Sequence, residues 1–224
     1  MIISTQYKFI FVHIPKTAGM SVTDAFGKYG RPQERSLLRS LSRRLPFKEV
    51  PAKAHFRVHE AVNKMIDKMG RPAFDSFHSF SVIRNPYDHA VSHYEYMKQF
   101  RIKATAEKVA QMSFEQYLTY RIKPPAGKDT IFARMPGQMY YLADNKGEVA
   151  VNRLVRFEAL NDELYQLADD LKLPDFSLRH VNKTKSKTDK KPFQSYYSAE
   201  TAEMVRHIYS EDFAKLGYSE EMPG

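Results

Sequence analysis

Apolar and polar residues at the start of the chain change from a strand-like to a helix-like pattern. Residues 7–14 are rich in aromatic and β-branched side chains, which predicts a buried strand. The segment 15–19 carries a proline and a glycine and breaks that pattern. Residues 21–29 then place apolar side chains on one side of a helix. The chain therefore opens with a strand, a loop and a helix.

The same periodicities continue through the rest of the sequence. Residues 77–83 predict a second strand, and shorter strand-like pieces lie at 149–151 and 154–157 after a turn at 144–147. Further helices are predicted over residues 33–45, 57–69, 86–100, 113–122, 161–171 and 198–216, with Asn85 and Ser198 as caps. Strands that alternate with helices predict an α/β fold with a mainly parallel sheet. No repeat or linker divides the chain, so we expect one domain over residues 1–224.

Composition narrows the class of protein. The chain has 224 residues, 42% hydrophobic and 27% charged, which is typical of a globular domain that needs no disulfide or metal to fold. It contains no cysteine, which excludes disulfides, thiolate nucleophiles and cysteine-bound zinc. No segment approaches the roughly 20 apolar residues that span a bilayer, and the first apolar stretch is too short for a signal peptide. We therefore expect a soluble, cytoplasmic protein.

Positive charge is concentrated in two zones of a chain whose formal net charge is +9. Residues 31–57 hold eight basic and two acidic side chains, and residues 179–191 hold six basic and one acidic. This distribution indicates anionic ligands at particular places. In the first zone, Arg35, Arg39 and Arg43 recur on one face of the predicted helix. Three interpretations of that face stay open: a solvated surface, a site for an anionic glycan, or a peripheral membrane contact.

The segment 13–21, His-Ile-Pro-Lys-Thr-Ala-Gly-Met-Ser, joins a strand to a helix through a tight loop. A helix start presents backbone N–H groups to an anion, and Lys16 adds a full charge. The order of residues is not a Walker A motif, because no Gly-Lys-Ser/Thr follows. The segment is therefore either an anion site or a plain connector with a solvated lysine.

A second segment, residues 81–92, again joins a strand to a helix. Arg84 follows the carboxyl end of the strand, where α/β sheets collect ligands, and Ser92 lies two turns into the helix. An arginine fork and a hydroxyl suit a phosphate monoester. From the residues alone, a structural ion pair of Arg84 is the alternative.

Taken together, the two segments resemble the sulfotransferases that use 3′-phosphoadenosine 5′-phosphosulfate (PAPS), and most closely the carbohydrate branch with the heparan 2-O-sulfotransferases and bacterial relatives. Segment 13–21 is similar to the 5′-phosphosulfate loop of that family. Segment 82–94, Val-Ile-Arg-Asn-Pro-Tyr-Asp-His-Ala-Val-Ser-His-Tyr, is similar to its 3′-phosphate segment. Weaker similarities at 155–160, 180–184 and 209–218 extend the resemblance over most of the chain.

The resemblance implies a fold and a set of residue roles. The fold is P-loop NTPase-like, with three layers and a mainly parallel central sheet flanked by helices. The 5′-phosphosulfate is contacted by six consecutive residues: Lys16, Thr17, Ala18, Gly19, Met20 and Ser21. The 3′-phosphate is held by Arg84 and Ser92, and Lys183 and Thr184 belong to a segment that closes over the donor. The acceptor implied is a hydroxyl of a glycan or glycolipid.

Sulfuryl transfer also needs a base for the acceptor hydroxyl. The resembling branch places a histidine between the two donor motifs, and His55 fits that position best, with His59 and Glu60 as rivals. An imidazole suits proton abstraction near neutral pH, although a surface histidine is the alternative. His55 and His59, like His89 and His93, are four residues apart, but neither pair has the Glu of the metalloprotease motif. We expect no metal.

Two other classes of function stay open at this point. One is a nucleotide-dependent phosphotransferase of a related fold, which the missing Walker A motif disfavours. The other is a non-catalytic nucleic-acid-binding protein, which only the net charge of +9 suggests. The recognised nucleic-acid-binding motifs are not found in the sequence. We therefore expect no nucleic-acid partner.

Overall fold

The computed structural model describes residues 1–32, 48–124, 136–178 and 191–223. These residues form two compact units, and neither is continuous in sequence. The first unit comprises Met1–Ile83 and Tyr140–Lys183, and the second comprises Arg84–Met139 and Thr184–Gly224, in each case over their described residues. The single domain remains a prediction.

The first unit contains a five-stranded sheet built from β1 (Ile2–Ser4), β2 (Phe9–Val12), β3 (Arg31–Pro32), β4 (His78–Ile83) and β5 (Arg153–Arg156). The strand order is β3-β1-β2-β4-β5. Strands β2, β4 and β5 are parallel neighbours, and β1 is antiparallel to both β2 and β3. Four of these five strands therefore run in the same direction. The register pairs Val12 with Ser81, so β2 and β4 end at the same edge of the sheet.

One face of the sheet is covered by α1 (Gly19–Phe26) and by a later helix, Leu160–Asp170. Both helices bury an apolar side against the aromatic side chains of the sheet. The core between them includes Phe9, Phe11, Phe26, Phe80, Val155 and Leu164. Burying side chains of this size contributes roughly 1.5–3 kcal/mol each, so this core fixes α1 firmly behind the end of β2.

The remaining helices of the first unit are short. Two of them, α2 (Val62–Met69) and α3 (Arg71–Asp75), precede β4. Helix α7 (Met139–Leu142) begins at Met139, the last residue of a segment of the second unit, and continues into the first unit before the turn that leads to β5. The helix Leu160–Asp170 is α8. Two 3₁₀ turns, Gly27–Tyr29 and Phe157–Ala159, follow α1 and β5.

The second unit is helical over its described residues. It holds α4 (Pro86–Met97), α5 (Lys103–Ala110), α6 (Phe114–Ile122), α9 (Ala199–Ile208) and α10 (Ser210–Leu216), with a 3₁₀ turn at Phe193–Tyr196. Helix α9 packs against α4 and α6. Aromatic side chains dominate the core that these helices share, including Tyr87, Tyr94, Phe114, Tyr117, Tyr209 and Phe213.

The α/β fold predicted from the sequence is confirmed, as are the strands at 77–83 and the centre of 7–14. Asn85 and Ser198 cap their helices: the side chain of each accepts a backbone N–H from the first turn. The closing helix is interrupted at Tyr209, and the helix predicted from residue 57 begins only at Val62. The predicted helix 33–45 lies outside the described residues. Within the described ranges, no helix is long and apolar enough to cross a membrane.

Candidate functional site

The loop that leaves β2 has an unusual backbone. Lys16 and Ala18 both have positive φ, at 68° and 59°, in the left-handed region that costs a residue with a side chain on the order of 1–2 kcal/mol. Between them, the fully buried hydroxyl of Thr17 donates a hydrogen bond to the carbonyl of Ile14 at 3.0 Å. The surrounding structure therefore imposes this conformation, and strain of this kind concentrates at functional sites.

The first turn of α1 presents backbone N–H groups beyond this loop. The helical hydrogen bonds begin with the amide of Val22, which donates to Ala18 at 3.2 Å. The amides of Gly19, Met20 and Ser21 come before it and have no acceptor within the helix. The first turn also carries no acidic side chain. This helix start has the geometry that favours an anion, and its role as an anion site stays a prediction.

The side chains of the loop differ in their exposure. Lys16 and Ser21 are half-buried, while Met20 is 80% exposed. The hydroxyl of Thr17 already holds the turn, so its predicted contact with a ligand would come from its backbone. The assignment of Lys16 to an anion stays a prediction.

A histidine that the sequence analysis passed over lies directly beneath the loop. The imidazole of His13 is buried against Gly19, where a Cβ would lie 1.7 Å from its Nε2 atom. The ring stacks on Phe11, with centroids 5.5 Å apart. Burial lowers the pKa of His13 to about 2, and the positive N-terminus and His59 act in the same direction. The neutral imidazole of His13 therefore packs against the backbone at the start of α1.

His59, one of the rival bases, contacts His13. Its Nδ1 donates to the carbonyl of His13 at 3.0 Å, because a carbonyl oxygen can only accept. The neutral ring then has its lone pair on Nε2. The two imidazoles also meet edge to face, with centroids 4.3 Å apart. Glu60, the other rival, is buried and accepts the amide of Arg57 at 3.0 Å, which stabilises the turn.

His55, the predicted base, lies in a different environment within the same unit. Its Nδ1 is 4.0 Å from Oε2 of Glu49, whose other oxygen, Oε1, is 3.0 Å from the ammonium of Lys68. The side chain of His55 is 26% exposed. The guanidinium of Arg31 donates to the carbonyl of Ala54 at 2.8 Å and fixes the backbone beside the ring. This histidine thus combines access to solvent with a carboxylate on its Nδ1 side.

Arg84 opens the second unit and makes an ion pair with Asp88. Its Nε and Nη2 donate to the two carboxylate oxygens at 2.7 and 2.8 Å, a fork that fixes the plane of the guanidinium. Asp88 lies in the first turn of α4, where a negative charge is favourable. The ion pair that the sequence left open is therefore present. The predicted contact of Arg84 with a phosphate stays a prediction.

The backbone of Arg84 is held from both sides by one side-chain amide. Gln138, fully buried, donates through Nε2 to the Arg84 carbonyl and accepts the Arg84 amide through Oε1, both at 2.8 Å. The amides of Gln138 and Met139 donate in turn to Asp212 at 2.7 and 2.9 Å. Burial raises the pKa of Asp212 to about 6, although these amides favour the charged form. The position of Arg84 is therefore set by a buried polar network.

Ser92 lies on α4 and is half-buried. Asp88 and Ser92 are four residues apart on α4, which places them on the same side of the helix. The predicted contact of Ser92 with the 3′-phosphate stays a prediction. Lys183 and Thr184 lie outside the described residues, as does most of the second basic zone.

The histidine pairs have partners other than a metal. On α4, Nδ1 of His89 is 3.2 Å from the hydroxyl of Tyr209, and His93 is hydrogen-bonded to the hydroxyl of Tyr117. The hydroxyl of Tyr209 also accepts the guanidinium of Arg121 at 3.0 Å. In the part of the chain that the structure describes, no group of three or more potential ligands could hold a metal ion.

The sequence analysis gave no role to several residues that contact the predicted ones or support those contacts: His13, Glu49, Asp88, Gln138 and Asp212. Two signals were available. Gly19 opens a helix although glycine is a poor helix former, which indicates a close approach to its backbone. Asp88 is four residues from Arg84, the spacing of a helical ion pair. The contacts of Glu49, Gln138 and Asp212 are between residues distant in sequence, which no local pattern reveals.

Comparison with known proteins identifies the class of protein. A family model described as the sulfotransferase family matches residues 1–219. No curated protein matches the chain. Because the family model covers nearly the whole sequence, the chain belongs to the sulfotransferase family. Membership implies a transferase that moves a sulfuryl group, and the family generally uses PAPS as donor.

Proposed function

We propose that this protein transfers the sulfuryl group of PAPS to a hydroxyl of a carbohydrate or a glycosylated acceptor, such as a polysaccharide or a glycolipid. The observation that carries the proposal is the loop after β2. Its strained residues Lys16 and Ala18 lead into a helix start whose first three amides have no helical acceptor. This geometry suits a phosphosulfate.

In this proposal the 5′-phosphosulfate lies at the start of α1. The amides of Gly19, Met20 and Ser21 donate to its oxygens, and the ammonium of Lys16 offsets the charge on the sulfuryl oxygens and on the departing phosphate. Fixed dipoles and charges of this kind stabilise a transition state without reorganisation. His13 supports the arrangement because its neutral ring adds no competing charge beneath the amides.

Arg84 and Ser92 are the proposed ligands of the 3′-phosphate. The fork with Asp88 fixes the orientation of the guanidinium, and the amide of Gln138 fixes its backbone. A guanidinium that is already oriented loses less side-chain entropy when it binds a ligand. Lys183 and Thr184 complete the proposed donor contacts.

His55 is the proposed base. Its imidazole accepts the proton of the acceptor hydroxyl, and the oxygen forms a bond to sulfur in line with the leaving group. The bond between sulfur and the bridging oxygen of the 5′-phosphate breaks, and that oxygen leaves on adenosine 3′,5′-bisphosphate (PAP). The products are a sulfate ester, PAP and a protonated His55, so atoms and charges balance.

The donor class can be tested before an acceptor is known. We expect PAP to raise the melting temperature well above the effect of AMP or ATP with magnesium at the same concentration, because a ligand of the folded state stabilises it by mass action. AMP lacks the 3′-phosphate, so it serves as the matched control. A larger shift with ATP and magnesium than with PAP would instead support a phosphotransferase.

The acceptor class is tested by transfer of radioactive sulfate from PAPS to neutral glycans, acidic glycans, glycolipids and simple phenols. We expect labelled product with a glycan or a glycolipid. We expect Lys16→Ala to fold like the parental protein and to lose most of its turnover. Label on phenols alone would contradict the proposed acceptor. Transfer by Lys16→Ala at the parental rate would contradict the role of the lysine.

A further inference from the structure

Glu49 bridges two cationic or ionisable groups in the first unit. Its Oε1 is 3.0 Å from Nζ of Lys68 on α2, and its Oε2 is 4.0 Å from Nδ1 of His55. The side chains of Glu49 and Lys68 are only 12% and 9% exposed, against 26% for His55. The carboxylate is thus nearly enclosed, and the imidazole at its outer end reaches solvent.

The backbone fixes the place of this carboxylate relative to the histidine. The amide of Glu49 donates to the carbonyl of Lys68 at 2.9 Å, which ties the start of the loop to α2. The amides of Lys53 and Ala54 both donate to Val50 at 2.9 Å, and Arg31 donates to the Ala54 carbonyl. The segment between Glu49 and His55 is therefore a closed turn, anchored at both ends.

The two oxygens of Glu49 are not equivalent. The ammonium of Lys68 satisfies Oε1, whereas Oε2 is buried and has no hydrogen-bond partner among the residues that the structure describes. A buried carboxylate oxygen without a donor is costly, and Nδ1 of His55 is the group that faces it. Hydrogen bonds at catalytic groups are often long in the absence of substrate and shorten when it binds. A movement of about 1 Å would bring this pair to hydrogen-bond distance.

We propose that Glu49, held by Lys68, is the positioning residue of His55: its Oε2 accepts the Nδ1 proton, so that the basic lone pair is on Nε2. The proposal rests on the proposed role of His55 as base. It explains why a carboxylate with one oxygen unsatisfied is kept beside a partly exposed imidazole. Lys68 restrains the carboxylate and limits how strongly it attracts a proton on the ring.

The test is the tautomer and titration of His55, observed by NMR on protein with ¹⁵N-labelled histidine. The His55 signals are assigned by their loss in His55→Gln. In the parental protein we expect the Nδ1–H tautomer. In Glu49→Gln we expect a shift toward the Nε2–H tautomer and a titration midpoint lower by about one pH unit, because the nearby negative charge is gone. An unchanged tautomer and midpoint would overturn the proposal.

Lys68→Met is a second variant, and we expect it to shift the titration midpoint of His55 in the opposite direction. Removal of the ammonium leaves the imidazole as the cation facing Glu49, so the midpoint of His55 should rise. Asp67→Asn is the matched control, since this exposed carboxylate on the same helix pairs with Lys64 and should leave His55 unchanged. If Glu49→Gln does not fold, a fall or no change of the midpoint in Lys68→Met still overturns the proposal.

This readout is independent of catalysis. A purely structural Glu49 would lower the melting temperature of its variants without moving the His55 tautomer, which contradicts the proposal. The base assignment is tested separately, by the sulfuryl transfer of His55→Ala. A failure of the positioning role of Glu49 can therefore be distinguished from a failure of the role of His55 as base.

Discussion

The imidazole of His13 occupies the space that any side chain at Gly19 would need, since a Cβ there would lie 1.7 Å from Nε2. The ring cannot easily withdraw, because it is buried, stacks on Phe11 and contacts His59. The residue type at the start of α1 is therefore determined by a residue at the end of β2. This contact fixes where the helix amides lie relative to the loop.

Gly19→Ala should accordingly damage both stability and donor binding. We expect a loss of about 1–3 kcal/mol in the free energy of unfolding, as for overpacked cores. We also expect PAP to bind at least about tenfold more weakly, which corresponds to about 1.4 kcal/mol. Urea denaturation and titration calorimetry measure the two effects. Parental stability and affinity would show that His13 does not restrict this position.

The adjacent substitution Ala18→Gly is the control for stability. Ala18 has a φ of 59°, and glycine adopts this conformation without steric cost. We expect it to raise the free energy of unfolding by about 0.5–1 kcal/mol, the balance of relieved strain and lost backbone entropy. A destabilised Ala18→Gly would show that the left-handed backbone at this residue is not strained.

The buried carboxyl of Asp212 should give stability a recognisable pH dependence. Burial raises its pKa from 3.8 to about 6. A carboxyl with a higher pKa in the folded state contributes stability that is fully present below pH 3.8 and is lost as the pH rises through about 6. This contribution is about 3 kcal/mol. It should disappear in Asp212→Asn, which has no group to titrate.

Urea denaturation of both proteins at several pH values between 4 and 7 measures this contribution. The stability of the parental protein minus that of Asp212→Asn should decrease as the pH rises. The difference removes the titration of all other groups that the two proteins share. A difference that stays constant or increases over this range would show that the carboxyl does not have a raised pKa.

The central strands of the sheet could be predicted from local sequence patterns, whereas the short strands β1 and β3 could not. The apolar runs around Phe9–Val12 and His78–Ile83 are long enough to identify buried strands. The strands Ile2–Ser4 and Arg31–Pro32 are too short for a period to be visible, and they exist because each pairs with a neighbour. The sequence predicted one closing helix over residues 198–216, but the structure interrupts it at Tyr209.

His55 and His59 should differ in the step that they affect. We expect His55→Ala to lower kcat by about 10²–10⁴-fold, the usual contribution of a general base, with little change in PAP affinity. His59→Ala should chiefly weaken PAP binding, because His59 supports the carbonyl of His13 below the donor loop. The measurements are sulfuryl transfer to the acceptor found by screening, and calorimetry with PAP.

If the effects of the two substitutions on kcat and on PAP binding were reversed, His59 would be the base. In that case His59→Ala would lose kcat at saturating donor while His55→Ala kept it. Glu60→Gln serves as a further comparison, since its carboxylate already accepts the amide of Arg57 and should affect stability more than kcat.

Distinctive residue types let the sequence single out Lys16 and Arg84, which follow the ends of two strands, and their roles in binding stay predictions. What holds those residues was not predictable, because it depends on distant contacts. Gln138 clamps the backbone of Arg84 across 54 residues of sequence. Asp212 fixes Gln138 across 74 residues. Only the folded chain brings these groups together.

The most direct test of the central claim is the preference for PAP over AMP, measured by titration calorimetry on the parental protein and on Arg84→Ala. The two nucleotides differ by the 3′-phosphate, and a charge-assisted contact is worth roughly 1.5–3 kcal/mol, or about 10–100-fold in affinity. We predict that the parental protein prefers PAP strongly and that Arg84→Ala loses about 10–100-fold of this preference while AMP binding changes little. Ser92→Ala should lose a smaller part. Equal affinities of the parental protein for PAP and AMP, or an Arg84→Ala variant that keeps the full preference, would contradict the account.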